Sequence, residues 1–217
     1  MKLFIDSGNL RDIESLVPLG IIDGVTTNPS LMAKESADPR ELIRQICEAV
    51  QGPVSAEVVT TEADAMIAEG RDLATIHEHV VVKCPFTRAG LRATHQLASE
   101  GIRVNVTLIF SPAQALLAAK VGAAYVSPFV GRLDDIASDG MGLVRQIVEI
   151  FDQYEYSTEV LVASVRSPMH IIEASRMGAD ICTCPVSVIE ACFNHPLTDI
   201  GLEKFLKDWE KAQAARV

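Results

Sequence analysis

The sequence alternates between short runs rich in β-branched residues and longer amphipathic segments, and this alternation limits the possible folds more than any other feature. Strand-like runs occur at residues 2–6, 24–28, 54–59, 80–84, 104–110, 124–129, 159–165 and 179–184. The segments between them have helical spacing of apolar residues, as in PRELIRQICEAV and MGLVRQIVEIFDQY. Strands that alternate with helices predict a parallel sheet, and near-continuous apolar strands fit a sheet covered on both faces. Eight such units predict an α/β fold, the (β/α)8 TIM barrel.

A doubly wound sheet is the main competing arrangement for strands that alternate with helices. Such sheets usually carry a glycine-rich GxGxxG turn after the first strand, whereas this chain has DSGNL there. The barrel is therefore favoured. At 217 residues it would be one compact domain over residues 1–217, with an additional C-terminal helix at about 202–215 that carries the only Trp.

The composition argues against several classes of partner. The net charge is −10, whereas nucleic-acid binding needs clustered Lys and Arg against the phosphate backbone. No apolar run approaches the roughly 20 residues that span a membrane. The N-terminal MKLFIDSGNL has a Lys and an Asp within its short apolar stretch, unlike a signal peptide. We therefore expect a soluble, cytoplasmic protein without a nucleic-acid or membrane partner.

The five cysteines, an odd number, fit a reducing compartment. Cys84, Cys182 and Cys184 lie in strand-like runs, whereas Cys47 and Cys192 fall in helical patterns. No CxxC pair or Cys/His cluster accompanies them, so we interpret them as reduced core thiols rather than metal or redox groups. The histidines form no HExxH pair, and no metal site is expected.

Polar residues interrupt the apolar strands near their C-terminal ends, where active sites lie in this type of barrel. Every predicted strand except the eighth supplies at least one of them, which indicates a site at that end of the barrel. The residues are Asp6, Thr26, Thr27, Asn28, Glu57, Lys83, Asn105, Thr107, Ser127, Ser164 and Arg166, with Arg132 just beyond the sixth strand.

Lys83 ends the apolar run VVVK, an unusual place for a lysine because buried lysines are rare unless they are paired. In one interpretation its amine simply reaches water beyond the strand end. In a second, it forms an ion pair with Asp6 or Glu57. In a third, desolvation disfavours the ammonium, and the free amine attacks a carbonyl to form a Schiff base, with the carboxylates transferring protons. The residues alone leave all three open.

The other polar residues also have structural interpretations beside functional ones. Asp6 could cap a helix beginning near Asn9, and Asn28 could form the turn before the following proline. Asn105 and Thr107 share one face of their strand because they are two apart, and their amide and hydroxyl suit a polyol or an ordered water.

Two arginines are candidates for binding an anion after the sixth and seventh strands. Arg166 and Ser164 are two apart in ASVRSP and are expected to face the same way. With Arg132 they would hold a phosphate through charge-assisted hydrogen bonds. The alternative for Arg132 is a local salt bridge with Asp134 or Asp135.

Several long motifs closely resemble those of the small, single-domain transaldolases, relatives of fructose-6-phosphate aldolase. They are GVTTNPSL, VVVKCPFT, NVTLIFSPAQALLAAKVGAAYVSPFVGRLDD, VLVASVRSP and HPLTDIGLEKFLKDWEK. The likeness runs from Lys2 to about Lys211 without large gaps. It implies a compact class I aldolase barrel whose fourth-strand lysine forms a Schiff base with a ketose phosphate, with no metal or organic cofactor.

The resemblance also implies roles for single residues. Lys83 matches the Schiff-base lysine, and Asp6 matches the aspartate that takes the C4 hydroxyl proton during carbon–carbon cleavage. Glu57 matches a glutamate that works through a water held also by Thr107.

The resemblance further implies a substrate-binding set. Residues that orient the lysine and bind substrate hydroxyls correspond to Asn28 and Asn105, and a serine near the dihydroxyacetone unit corresponds to Ser127. The phosphate site corresponds to Arg132, Ser164 and Arg166.

The reaction implied is transfer of a dihydroxyacetone unit, as in the non-oxidative pentose phosphate pathway. The donors would be sedoheptulose 7-phosphate or fructose 6-phosphate, and the acceptors glyceraldehyde 3-phosphate or erythrose 4-phosphate. The aldolase relatives, which release free dihydroxyacetone, have Gln at the position of Glu57 and Tyr at the position of Phe129. This chain therefore favours the transaldolase. A non-catalytic phosphosugar-binding barrel and a metal-dependent class II aldolase remain as alternatives.

The resemblance implies a homo-oligomer, because pentamers and decamers occur in the family and the last helix contacts a neighbouring subunit. Phe205, Leu206 and Trp209 give that helix more apolar surface than a solvent-facing tail needs. One departure from the usual family pattern is Cys84 beside Lys83, which predicts sensitivity to oxidation.

Overall fold

The computed structural model describes residues 1–215, and its eight parallel strands form one closed barrel in sequence order. The prediction of a (β/α)8 barrel is confirmed. The strands are β1 Lys2–Asp6, β2 Gly24–Thr26, β3 Val54–Glu57, β4 Val80–Pro85, β5 Val104–Ile109, β6 Tyr125–Pro128, β7 Glu159–Val162 and β8 Ile181–Cys184. Most strands end one to three residues earlier than predicted, because the chain turns directly into the next loop or helix.

Helices follow every strand and cover the outside of the barrel. They are α1 Leu10–Leu16, α2 Pro29–Met32, α3 Pro39–Val50, α4 Ala63–Ala74, α5 Arg88–Ser99, α6 Pro112–Lys120, α7 Val130–Asp134, α8 Gly140–Gln153, α9 Pro168–Met177, α10 Val186–Ala191 and α11 Pro196–Ala214. A single 3₁₀ turn, Val17–Leu19, extends α1. The last helix begins six residues before the predicted 202, with Pro196 in its first turn.

Three of the turns from strand to helix are short, and in each the helix is capped by a residue two positions after the end of the strand. Asn28, Thr87 and Ser111 each use a side-chain oxygen to accept a hydrogen bond from a backbone N–H in the next helical turn. These caps hold the C-terminal strand ends and their polar side chains close to the barrel axis.

The core has an outer and an inner part. Val, Ile, Leu and Ala from alternate strand positions pack outward against the helices, as the aliphatic composition predicts. The lower barrel interior is filled by a separate cluster that includes Phe4, Val81, Tyr125, Leu161 and Ile181. Above this apolar layer the inward positions are polar. The barrel interior is therefore filled by apolar side chains toward its N-terminal end and lined by polar side chains at its C-terminal end.

The cysteines are all free, and four of them are buried. Cys192 is exposed, so the prediction of a core thiol is wrong for that residue. Cys84 is fully buried on the outer face of β4, and burial raises the pKa of its thiol to about 12. The expected sensitivity of Cys84 to oxidation is therefore not supported, because the reactive species is the thiolate.

None of the helices within residues 1–215 combines the length and the apolar character that a membrane crossing requires.

Candidate active site

A cavity of about 160 Å³ opens at the C-terminal end of the barrel, above the apolar layer. Of the residues chosen from the sequence and the family resemblance, eight of the eleven site candidates line it, and Thr26 lines it as well. Its walls are Asp6, Thr26, Asn28, Lys83, Ser127, Phe129, Arg132, Leu161, Ala163, Ser164, Arg166 and Thr183.

Lys83 lies within the barrel, with only 5% of its surface exposed. Its Nζ lies 2.9 Å from Oε2 of Glu57 and donates a 3.0 Å hydrogen bond to the backbone carbonyl of Thr27. The interpretation of an amine that simply reaches water is therefore wrong. Two fixed acceptors hold the amine at the floor of the cavity, where a carbonyl group could meet it.

Glu57 is placed by the register of the sheet, in which it pairs directly with Lys83 across β3 and β4. It does not line the first cavity. It borders a second, mainly apolar cavity of about 460 Å³ beside the ends of β2 and β3. Glu57 therefore contacts the first cavity only indirectly, through its ion pair with the Lys83 amine.

Asp6 ends β1 and accepts a 2.7 Å hydrogen bond from the hydroxyl of Thr26. It makes no direct ion pair with Lys83 in the described part of the chain. Burial raises the pKa of the Asp6 carboxyl, although the hydrogen bond from Thr26 and the charge of Lys83 act against this rise. A raised pKa suits a group that takes up and returns a proton near neutral pH. The helix that follows is capped by Asn9, so the capping role considered for Asp6 is wrong.

Asn105 is held by two neighbours inside the barrel. The hydroxyl of Ser127 donates a 2.7 Å hydrogen bond to its Oδ1, and its Nδ2 donates a 3.1 Å bond to the hydroxyl of Ser55. These bonds fix which way the amide faces. Its second N–H is therefore left for another acceptor.

Thr107 lies two residues after Asn105 and is also fully buried. Its Oγ1 is the one buried side-chain polar atom within residues 1–215 that has no hydrogen-bond partner in the protein. Directly after it the pairing of β5 with β6 shifts, and Leu108 adopts a left-handed backbone with φ of 61°. A buried hydroxyl without a partner is costly, so this atom is suited to hold a ligand or a water.

The two arginines meet at the other side of the cavity through Asp135. A guanidinium nitrogen of Arg166 lies 2.9 Å from the Asp135 carboxylate, and one of Arg132 lies 4.0 Å from it. Asp134 instead contacts His170 at 3.2 Å. The local salt bridge considered for Arg132 is thus formed with Asp135, and one carboxylate orients both cations.

Ser164 and Arg166 lie beyond the end of β7, so strand alternation is not what aligns them. Ser164 has a left-handed backbone, with φ of 58°, and its carbonyl accepts a hydrogen bond from the N–H of Gly131 in α7. This turn directs both side chains into the cavity.

Phe129 lies between β6 and α7, where it forms an isolated bridge to Ala163. Its ring packs edge to face against Phe110, with ring centroids 6.0 Å apart. This part of the cavity wall is therefore an apolar ring without a hydrogen-bonding group.

Sequence reasoning missed two residues of this site, Thr183 and Ser55. The statement that the eighth strand supplies no polar residue is wrong, because Thr183 lines the cavity and its hydroxyl lies 2.7 Å from that of Thr26. The alternation in ICTC contains the signal, since Thr183 shares the inward face of Ile181 whereas the cysteines face the helices.

Within residues 1–215, no cluster of three or more His, Cys, Asp or Glu side chains is arranged to bind a metal ion.

Comparison with known proteins identifies the family to which the chain belongs. The family described as Transaldolase/Fructose-6-phosphate aldolase matches residues 3–216. A protein of Syntrophobacter fumaroxidans named "Probable transaldolase" is 59% identical over an alignment of 221 positions that covers 100% of both chains. Proteins with the same name from Chlorobium limicola and Aquifex aeolicus are 62% and 58% identical, and each alignment covers at least 96% of both chains. The chain therefore belongs to the transaldolase/fructose-6-phosphate aldolase family.

Proposed function

We propose that the protein is a transaldolase that moves a dihydroxyacetone unit between sugar phosphates through a Schiff base on Lys83. The observation that carries this proposal is the position of Lys83 Nζ, buried at the floor of the cavity and 2.9 Å from the Glu57 carboxylate. Asp6 and the arginines line the same cavity, so an amine, a proton acceptor and an anion site surround one space. The curated relatives named "Probable transaldolase" support the same activity.

The first step is attack of the Lys83 amine on the C2 carbonyl of the ketose phosphate. For this step the amine must lose a proton, and Glu57 is the adjacent acceptor. The carbinolamine then loses its hydroxyl as water, which needs a proton returned to that oxygen. We assign this exchange to Glu57, acting through a water that Thr107 also holds, because the Thr107 hydroxyl has no partner in the protein.

The second step is cleavage between C3 and C4. Asp6 takes the proton of the C4 hydroxyl, that carbon becomes the aldehyde, and the bonding electrons move toward the imine to leave an enamine on Lys83. The raised pKa of Asp6 matches this exchange. An acceptor aldehyde then adds by the reverse of these steps, and hydrolysis of the imine frees the product.

The remaining wall residues bind the substrate. Arg132 and Arg166 bind the phosphate, because they are the cationic side of the cavity, and Ser164 adds a hydroxyl between them. The sugar hydroxyls are bound by Asn28 and Ser127 in the wall, and by Asn105, which lies behind the wall and accepts a hydrogen bond from Ser127. In this assignment the reaction uses no metal or organic cofactor, and full activity in EDTA would exclude a class II aldolase.

The test of the Schiff base is reductive trapping. Incubation with fructose 6-phosphate and borohydride should add mass to the peptide that contains Lys83 and to no other lysine peptide. Lys83→Ala should lose both labelling and turnover, whereas Lys120→Ala, at the exposed end of α6, should retain both. Sugar-phosphate binding without any label would support the non-catalytic barrel instead.

The second candidate function is a fructose-6-phosphate aldolase, which hydrolyses the dihydroxyacetone intermediate before an acceptor arrives. The presence of Phe129 and Glu57 favours the transaldolase, since a phenyl ring cannot hold and orient the hydrolytic water as a tyrosine hydroxyl can. Transfer to erythrose 4-phosphate should therefore be much faster than dihydroxyacetone release. Phe129→Tyr should shift this ratio toward release. Equal rates in the unmodified protein would identify an aldolase.

We further propose that the protein is a cytoplasmic homo-oligomer, a pentamer or a decamer. Helix α11 has no buried residue, and Leu197, Ile200, Phe205 and Trp209 are each 59–70% exposed. So much apolar surface on one helix is typical of an interface. Light scattering on the full chain and on a chain shortened after His195 tests this, since a monomeric full chain at micromolar concentration would contradict it.

A further inference from the structure

Three side chains from three strands form a continuous hydrogen-bonded row beside the cavity. The hydroxyl of Thr183 on β8 lies 2.7 Å from that of Thr26 on β2, and Thr26 lies 2.7 Å from Oδ1 of Asp6 on β1. Both threonines are at most 3% exposed. The row exists because β1 lies between β2 and β8 in the closed barrel.

The chemistry of the three groups fixes the direction of this row. An ionised carboxylate can only accept hydrogen bonds, so Thr26 must donate its single hydroxyl proton to Asp6. Thr26 can then only accept from Thr183, which is therefore the donor at the start of the row. The bond from Thr183 prevents the Thr26 hydroxyl from turning away, and a polarised donor chain strengthens the last bond to the carboxylate.

We propose that Thr183 is a positioning residue for the proton transfer at Asp6, and that it acts by orienting the hydroxyl of Thr26. This inference rests on the proposed function, in which Asp6 takes the C4 hydroxyl proton. When Asp6 becomes protonated it can donate to Thr26, the Thr26 proton can then turn toward Thr183, and the Thr183 proton turns away from Thr26. The row thus stabilises the carboxylate before the transfer and accommodates the acid after it.

The surroundings of Asp6 leave this row as its main source of hydrogen bonding. Lys83 on β4 acts on Asp6 through its charge and is itself held by Glu57 on β3. The charge of Asp6 also helps to raise the pKa of the Cys184 thiol on β8, which faces the helices, and Arg132 and Arg166 line the same cavity. Thr26 is the hydrogen-bond donor to this carboxylate within residues 1–215.

The test compares Thr183→Val, which keeps the shape and loses the hydroxyl, with Thr183→Ser, which keeps the hydroxyl. For Thr183→Val we expect kcat to fall about two- to tenfold, the factor that corresponds to one neutral hydrogen bond. The acidic limb of the pH profile of kcat/KM should move to higher pH, because the carboxylate has lost stabilisation. Thr183→Ser should restore the limb, and KM should change less than kcat in both variants.

Thermal unfolding shows whether each variant is folded, and Thr183→Ala replaces the valine variant if that variant does not fold. An acidic limb that stays in place in folded Thr183→Val or Thr183→Ala would overturn the inference. Borohydride trapping separates this outcome from failure of the proposed function. If the unmodified protein is trapped at Lys83 but the acidic limb of the pH profile does not move in the Thr183 variants, only the role of Thr183 is rejected. If the unmodified protein is not trapped at all, the Schiff-base function itself is rejected.

Discussion

Glu57 and Lys83 are direct partners across two adjacent strands, with Oε2 and Nζ 2.9 Å apart inside the barrel. The pair is set by sheet register and not by side-chain flexibility, because Glu57 on β3 pairs directly with Lys83 on β4. The geometry of this pair places a proton acceptor, the Glu57 carboxylate, next to the Lys83 amine before substrate binds. The contact explains how a cation is tolerated at the end of VVVK and why its amine is positioned for chemistry.

Replacing Glu57 by Gln should slow the formation and hydrolysis of the imine more than substrate binding. Gln keeps the size and can still contact Lys83, but it cannot take the proton of the amine. The aldolases that this chain resembles combine Gln with a tyrosine hydroxyl, whereas this chain has Phe129 at that position. We expect kcat to fall about 10²- to 10⁴-fold, the usual contribution of general acid–base catalysis. Single-turnover trapping with borohydride measures the step directly, and Glu48→Gln, an exposed residue that pairs with Arg44 on the outer helix α3, is the control. Unchanged trapping kinetics in Glu57→Gln would contradict the assignment.

Replacing Arg166 by Ala should weaken the binding of phosphorylated substrates. The loss of kcat/KM should be about 1.5–3 kcal/mol, the range for a hydrogen bond to a charged group, and most of it should appear as a higher KM. Arg92, which pairs with Asp64 on the outer helices, provides a matched control. If Arg166→Ala has the same kcat/KM values as the parent protein for both fructose and fructose 6-phosphate, the phosphate binds elsewhere.

Gly131→Ala should disturb the phosphate site without replacing a charged residue. An added Cβ would lie 2.2 Å from the backbone carbonyl of Ser164 and 2.7 Å from Nε of Arg166. The turn that holds both residues must therefore move. We expect a rise in KM for fructose 6-phosphate. Gly201→Ala, where a Cβ meets nothing within 4 Å, is the control. Equal KM values for the two variants would argue against the close packing of α7 on this turn.

Asp6→Asn should remove activity and raise stability at neutral pH. The folded protein raises the pKa of Asp6 above its ordinary value of 3.8, mainly through burial. Between that value and the raised one, the folded state holds a proton that the unfolded state has lost, so stability falls as the pH rises. Above the raised pKa, the full free-energy cost of burying the ionised Asp6 carboxylate remains, and the neutral Asn side chain removes that cost.

Thermal unfolding midpoints of the parent and of Asp6→Asn, measured at neutral pH and below pH 3.8, check this sign. The advantage of the variant should be present at neutral pH and absent at the lower pH, where both states of the parent are protonated. A variant that is less stable than the parent at neutral pH would show that the charge of Asp6 stabilises the fold.

Local patterns in the sequence were enough for the barrel and for most of its site. Strand and helix periods repeat over a few residues, so the eight units can be read one at a time. The same patterns place Lys83 and Glu57 near the C-terminal ends of their strands, where active sites lie in this fold. The proposed reaction comes from the long motifs that resemble the family, because residue types alone left both an ion pair and a reactive amine open.

Tertiary structure decided the partners. Asp135 links Arg132 to Arg166, and Thr183 reaches Asp6 through Thr26, although these residues are far apart in the chain. Thr183 was overlooked because a threonine between two cysteines has no unusual local pattern. Only closure of the barrel brings β8 beside β1 and so makes this hydroxyl a neighbour of the carboxylate at the end of the first strand. Local sequence determines which face a side chain takes, whereas long-range strand pairing determines which side chains meet there.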